Sequence, residues 1–188
     1  MNSGYTILNR KYILYLFVLL LSFSSCDIIR KNQSAGKEIH IVKRVIDGDT
    51  FELDNGERVR LLGIDTPEKY QSKKLDKDAE LSGQDKETIK KLGQLSTEYA
   101  KKLAEGKKVT LERDEESNDR DKYGRLLRYI YLEDGTFVNG KLVKDGYAQV
   151  YDKFPLTKLD ELRQYQREAR ENRKGLWGDV EGLKQFDK

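Results

Sequence analysis

The chain has 188 residues, with 36 Lys and Arg against 33 Asp and Glu and a formal net charge of +3 at pH 7. That length supports one domain with a real apolar core, and charged and hydrophobic fractions of 37% each are not the profile of a disordered chain. One cysteine excludes an internal disulfide and a CxxC zinc site, and one histidine excludes a multi-histidine metal centre and argues against Ser–His–Asp catalysis.

Residues 1–11 carry Arg10 and Lys11 and no acid, and an apolar run from Tyr12 to Phe23 follows. A run of about a dozen residues is short for a bilayer-spanning helix and fits a signal-peptide core. Ser24, Ser25 and Cys26 close it. The segment resembles a bacterial lipoprotein signal, in which small residues precede a cysteine that is lipidated and becomes the new N-terminus. Phe23 departs from that class, which favours Leu three residues before the cysteine. The alternative is an ordinary secretory signal with an incidental cysteine. The expectations are therefore a signal at residues 1–25, lipidation of Cys26, membrane anchoring outside the cytoplasm, and a polar, aperiodic tether over 26–38. Without a lipid the protein would be secreted. Removing residues 1–25 takes away Arg10 and Lys11 and no acid, leaving 34 basic and 33 acidic residues, a net charge of +1.

From Ile39 the pattern is that of short strands. Ile39, Ile41, Val45 and Ile46 lead to a hairpin signal at Asp47-Gly48. Phe51 and Leu53 alternate with polar residues up to a second turn at Asn55-Gly56. Val59, Leu61, Leu62 and Ile64 make a third strand, completing an antiparallel meander. Thr66-Pro67-Glu68 stops the sheet. Residues 69–92, rich in Lys, Asp and Gln, read as a long excursion with one weak surface helix. Leu95, Tyr99 and Leu103 recur at four-residue steps, so 94–105 is an amphipathic helix closed by Gly106. Val109 and Leu111 start a strand, an acidic loop follows, and residues 126–131 form a buried strand. A short helix spans Phe137–Lys144, and a last one runs from about Leu156 to Asn172. Five strands with interleaved helices fit an α+β domain, a closed five-stranded barrel of the OB type with about three helices. It would occupy residues 39–180, with a tail at 181–188.

The chemistry-bearing residues are each ambiguous alone. Asp49 follows Asp47-Gly48 in what reads as a routine hairpin turn, and Asp65-Thr66-Pro67-Glu68 makes a good helix N-terminus. Arg60 reads equally as an outward strand residue, and Arg125 as a surface cation beside the acidic loop. Together, carboxylates on separate loop ends and two arginines suit metal-assisted attack on a phosphodiester. Asp49, Asp65 and a loop carbonyl are hard oxygen donors suited to Ca²⁺. Arginine forks match phosphate oxygens, and a carboxylate beside the metal can orient or deprotonate water. On a regular strand Arg60 and Asp65 point to opposite faces. Both can face one phosphate only if the strand bends or ends near Gly63, and Gly124 before Arg125 leaves room for close backbone approach.

Residues 45–53 (VIDGDTFEL), 59–68 (VRLLGIDTPE) and 121–125 (DKYGR) resemble, in order, the motifs of the thermonuclease, or staphylococcal nuclease-like, family. The resemblance extends from about Ile39 to Gly178. It implies an OB barrel and calcium-dependent hydrolysis of DNA and RNA that cleaves the P–O5′ bond and leaves 3′-phosphates. By position it implies Asp49, Asp65 and the Thr66 carbonyl as calcium ligands, and Glu68 as general base or water-orienting residue. Arg60 and Arg125 would hold the scissile phosphate, and Lys122 and Tyr123 the terminal phosphate of the nucleotide. The family's base-stacking tyrosines map loosely onto Tyr151 and Phe154, where stacking would favour single strands and core packing is the alternative. The 69–92 excursion looks longer than in the family's type member. Its Lys69, Lys73, Lys74, Lys77, Lys86, Lys90 and Lys91 against five acids either dock substrate or form a solvated helical insert. His40 has no assigned role and reads as a strand surface residue, while Trp177 reads as a C-terminal packing anchor. A monomer with no protein partner is expected. The competing reading is a non-catalytic OB module, lipid-anchored and binding nucleic acid or protein. It sits poorly with five intact site positions.

Overall fold

The computed structural model describes residues 38–83 and 85–178. The signal, Cys26, nearly all of the tether and the 181–188 tail lie outside the described residues. The barrel begins with β1 (Glu38–Asp47), whose first half pairs with one neighbour and second half with another. Register shifts between Val42 and Arg44 and between Val45 and Asp47 bend it across both. Asp47 and Thr50 face each other across the two-residue turn Gly48-Asp49, which leads into β2 (Thr50–Leu53) and then β3 (Arg58–Leu61). After two helices come β5 (Lys108–Glu112) and β6 (Leu126–Leu132). The order β1-β2-β3-β6-β5 closes on itself, with β3 and β6 parallel and the other pairings antiparallel. Inward residues Val42, Phe51, Leu53, Val59, Leu61, Val109 and Ile130 fill the interior and are essentially inaccessible.

The expected continuous third strand breaks at Leu62-Gly63. Gly63 has φ +73°, in the left-handed region, and an added Cβ would come within 2.5 Å of Leu162 Cδ1. Beyond it the chain leaves the barrel as β4 (Ile64–Asp65), which pairs antiparallel with β7 (Gln149–Val150). The bend is locked by Asn139, fully buried on α3 (Val138–Lys144). Its Oδ1 accepts the Ile130 N–H at 3.0 Å, and its Nδ2 donates to Leu62 O at 2.9 Å and Arg128 O at 3.3 Å.

The excursion after β4 holds two helices where one weak helix was expected. They are α1 (Lys73–Ser82) and α2 (Lys86–Ala104), the latter starting well before the expected residue 94. Each has a side-chain cap: Ser72 Oγ accepts the Leu75 N–H, and Asp85 accepts both the Thr88 N–H and its hydroxyl. Heptad-like Leu spacing is absent from the first half of α2 because its contact face is made of Ile89, Leu92, Gly93, Ser96, Thr97 and Ala100, all buried. Gly93 lies directly on the backbone of the segment after β4. A Cβ there would sit 2.6 Å from Pro67 O and 2.7 Å from Lys69 N. The last helix, α4 (Leu159–Glu171), starts later than the expected Leu156 because Thr157 is held elsewhere. Its N–H and hydroxyl both donate to Asp114 Oδ2 at 2.8 Å, which also accepts the Tyr129 hydroxyl at 2.6 Å. Four α-helices are thus described, and a 3₁₀ turn at Gly175–Trp177 follows them.

Candidate active site

The β1–β2 turn, the end of β3 and the β4 strand meet on one side of the barrel. Gly48 permits this, since a Cβ there would lie 2.7 Å from Thr66 Cγ2. Asp49 is only 6% exposed. Its Oδ2 accepts the Thr66 N–H at 3.0 Å and the Thr66 hydroxyl at 3.1 Å, and pairs with Arg60 Nη1 at 2.9 Å. Arg60 Nη2 reaches Asp65 Oδ1 at 3.0 Å, so one guanidinium bridges two carboxylates. The contact exists because the chain turns at Gly63 and brings Asp65 round to the face of Arg60.

Arg125 joins from the turn before β6. There Gly124 has φ +78°, and a Cβ at this glycine would meet nothing within 4 Å. Within the protein its requirement is therefore the turn conformation, with no side chain or backbone close by. Asp121 Oδ1 accepts the Tyr123 and Arg125 N–H groups, while Asp121 Oδ2 takes Arg125 Nε and Nη2 at 2.7 Å. Arg125 Nη1 donates to Thr50 Oγ1 at 3.1 Å, and Thr50 Oγ1 donates to Asp49 Oδ1 at 3.2 Å. Of the five guanidinium N–H groups, these contacts use Nε and one on each terminal nitrogen, leaving one on each for a phosphate oxygen.

Glu68 is partly exposed at the rim, and its Oε2 accepts the Ser72 hydroxyl at 3.4 Å. Lys74, on the first turn of α1, belongs by sequence to the excursion lysines that either dock substrate or form a solvated insert. Instead its Nζ lies 3.0 Å from Asp65 Oδ1, 3.0 Å from Thr66 O and 3.2 Å from Glu68 Oε1. Burial pulls the Lys74 ammonium down, but the Asp65 charge and hydrogen bond and the Glu68 charge outweigh it and leave it above its usual range. Burial pushes the Asp65 carboxyl up despite Lys74 and Arg60, with the Asp49 charge adding to the rise. Three other excursion lysines have partners of their own: Lys69 Nζ donates to Ile46 O, Lys86 pairs with Asp76, and Lys90 pairs with Glu87.

In the sequence Asp47 reads only as a turn former. Burial first, and then the Asp49 charge, push its carboxyl up to about 6. Because this exceeds the unfolded value of 3.8, the neutral acid favours the fold. That contribution is complete below about pH 4 and is lost as pH rises through about 6. Asp47→Asn should melt at nearly the wild-type temperature near pH 4 and several degrees higher at pH 8, measured with chelator present. A difference that does not grow with pH would refute this origin of the strain.

Around the cluster, Lys122 and Tyr123 occupy the Arg125 turn. Tyr123 is 72% exposed, with Lys122 Nζ 5.0 Å and the Arg125 guanidinium 5.5 Å from its ring centroid. Tyr151 follows β7, its N–H bonded to Gly63 O at 2.9 Å, and Phe154 is 65% exposed. Their rings stand 6.3 Å apart and neither is a core residue. His40 Nδ1 is 3.1 Å from Asp54 Oδ1. Trp177 lies under Arg170, 4.3 Å from guanidinium to ring centroid. The structure thus gathers Asp49, Arg60, Asp65, Thr66 and Glu68 into one site, with Arg125 joined to it through Thr50.

A family model described as staphylococcal nuclease homologue matches residues 58–179. An uncharacterized protein of Methanocaldococcus jannaschii is 39% identical over 146 residues, spanning 72% of this chain and 70% of the relative. A thermonuclease of Staphylococcus intermedius is 37% identical over 144 residues, covering 74% and 76% of the two chains. An uncharacterized endonuclease of Escherichia coli is 36% identical over 143 residues, covering 74% and 77%.

Proposed function

The chain belongs to the staphylococcal nuclease family, and from that membership we propose that it is a calcium-dependent nuclease hydrolysing DNA and RNA. The bond cleaved is P–O5′, leaving a 3′-phosphate and a 5′-hydroxyl. The observation that supports the reading is the convergence of Asp65 Oδ1, Thr66 O and Glu68 Oε1 within 3.0–3.2 Å of the Lys74 ammonium, with Arg60 on the same Asp65 oxygen. These donors are all hard oxygens, as Ca²⁺ prefers. No three His, Cys, Asp or Glu side chains form a ready-made metal cluster among the described residues, and the Thr66 carbonyl would add an oxygen to those of Asp49 and Asp65. Asp49, Asp65 and Thr66 O would hold the ion. When bound, calcium offsets the negative charge of the phosphodiester and favours charge development on its oxygens.

The side chains supply the remainder. Arg125 offers its two remaining N–H groups to the phosphate, and Arg60 adds positive charge from between Asp49 and Asp65. Glu68, at the open rim, accepts a proton from the attacking water or orients it. Tyr151 and Phe154 are exposed aromatic faces on which unpaired bases can stack, which favours single strands. Lys122 and Tyr123 contact a terminal phosphate. The mature protein acts as a monomer outside the cytoplasm, held to the membrane by a lipid on Cys26, a reading supported by the N-terminal sequence.

Digestion of an end-labelled single-stranded oligonucleotide tests the proposal. Cleavage should require Ca²⁺, stop on chelation, and leave 3′-phosphates, and Glu68→Gln should lose about two orders of magnitude or more of the rate. New 5′-phosphate ends, or undiminished cleavage in chelator, would contradict it.

A further inference from the structure

We propose that Lys74 is a tethered counter-cation of the metal site, which a divalent ion must displace before it can bind. The inference rests on the calcium reading above. An ammonium has three N–H donors, and Asp65 Oδ1, Thr66 O and Glu68 Oε1 give Lys74 Nζ three acceptors at 3.0, 3.0 and 3.2 Å. Two of these three oxygens belong to the set that would hold calcium, and the third belongs to the residue that would serve the water. A calcium ion takes oxygens at about 2.3–2.6 Å. An ammonium on the same carboxylate and carbonyl oxygens therefore excludes it by both space and charge.

The residues around Lys74 show what must move. Leu75, the next residue, is fully buried, and Ser72 caps the helix through the Leu75 N–H at 3.0 Å. The first turn of α1 is thus fixed at both sides of Lys74. The Lys74 side chain keeps 37% of its surface exposed, so its flexible stem has a way out to solvent. Exchange is a swing of one side chain over a stationary helix. Until that swing, Lys74 neutralises the buried Asp65 carboxylate and satisfies the Thr66 carbonyl. Calcium affinity is consequently weaker than the oxygen donors alone would give.

Calcium titration calorimetry on the purified full chain tests this, alongside Lys74→Met and Lys73→Met. Lys73 lies one residue away and is exposed, so it controls for the loss of one positive charge. Lys74→Met should bind Ca²⁺ at least about tenfold more tightly, equivalent to one strong charged hydrogen bond. In chelator it should melt several degrees below wild type, and calcium should raise its melting temperature more than that of wild type. Lys73→Met should stay within about twofold in affinity. Should Lys74→Met fail to fold, Lys74→Gln takes its place in the same titration. Unchanged or weaker calcium binding by the Lys74 variants, or equal tightening in Lys73→Met, overturns the inference and leaves the calcium reading standing. Absence of calcium binding in every chain overturns both, while cleavage in chelator would still leave a nuclease.

Discussion

Arg125→Ala is expected to lower kcat on a single-stranded oligonucleotide by about two to three orders of magnitude, the usual cost of removing one donor aimed at transition-state charge. The result is interpretable because the turn outlives the substitution. Asp121 Oδ1 holds the Tyr123 and Arg125 backbone N–H groups at 2.9 and 3.0 Å independently of the guanidinium. The melting temperature should accordingly move little. Arg125→Lys should recover only part of the loss, since an ammonium keeps the charge without the planar fork. Wild-type turnover by Arg125→Ala would remove this residue from the site. Arg60 would be a poorer first choice, because its loss removes the ion-pair partner of the buried Asp49 and confounds stability with chemistry.

Asn139→Ala should be among the most destabilising single changes in the molecule, by about 2–4 kcal/mol in urea unfolding. Asn139 is fully buried, and its amide joins three backbone groups from two chain segments. Alanine leaves the Ile130 N–H without that acceptor, and Leu62 O and Arg128 O without that donor. A loss below about 1 kcal/mol would mean that water or a small backbone shift replaces the amide. Because Leu62 immediately precedes the Gly63 bend, the folded fraction of this variant also reports whether the bend survives without its brace.

Much of the barrel is legible in the sequence because its strands obey simple rules. Phe51, Leu53, Val59 and Leu61 alternate cleanly, and Asp-Gly and Asn-Gly mark the turns between them. The bend at Gly63 follows from requiring Arg60 and Asp65 to share a face. The parallel β3–β6 pairing is not legible, since it depends on a crossover through two helices and two further strands rather than on local pattern. The first half of α2 escapes notice because its buried face carries only Ile89 and Leu92 beside Gly93 in a lysine-rich run, too few large apolar residues to show a period. Among the site residues, Asp49, Arg60, Asp65, Thr66 and Glu68 come from motifs. Lys74 sits in a lysine-rich run where composition predicts a solvated side chain, and only the fold distinguishes it from Lys73.

Gly93 carries a consequence for anyone engineering this protein. A glycine in the middle of a 19-residue helix is the first position a propensity-guided stabilisation scheme would change, with an expected gain of about 1 kcal/mol from alanine. Here the extra methyl would press on Pro67 O and the Glu68 and Lys69 backbone, the segment that presents Thr66 O and Glu68. Pressing a methyl to within 3 Å of backbone atoms costs about 1–3 kcal/mol, which cancels or exceeds that gain, so Gly93→Ala should lower the melting temperature as well as displace this segment. The propensity rule therefore fails at a residue that touches no substrate, and a stabilisation scheme should leave Gly93 as it is.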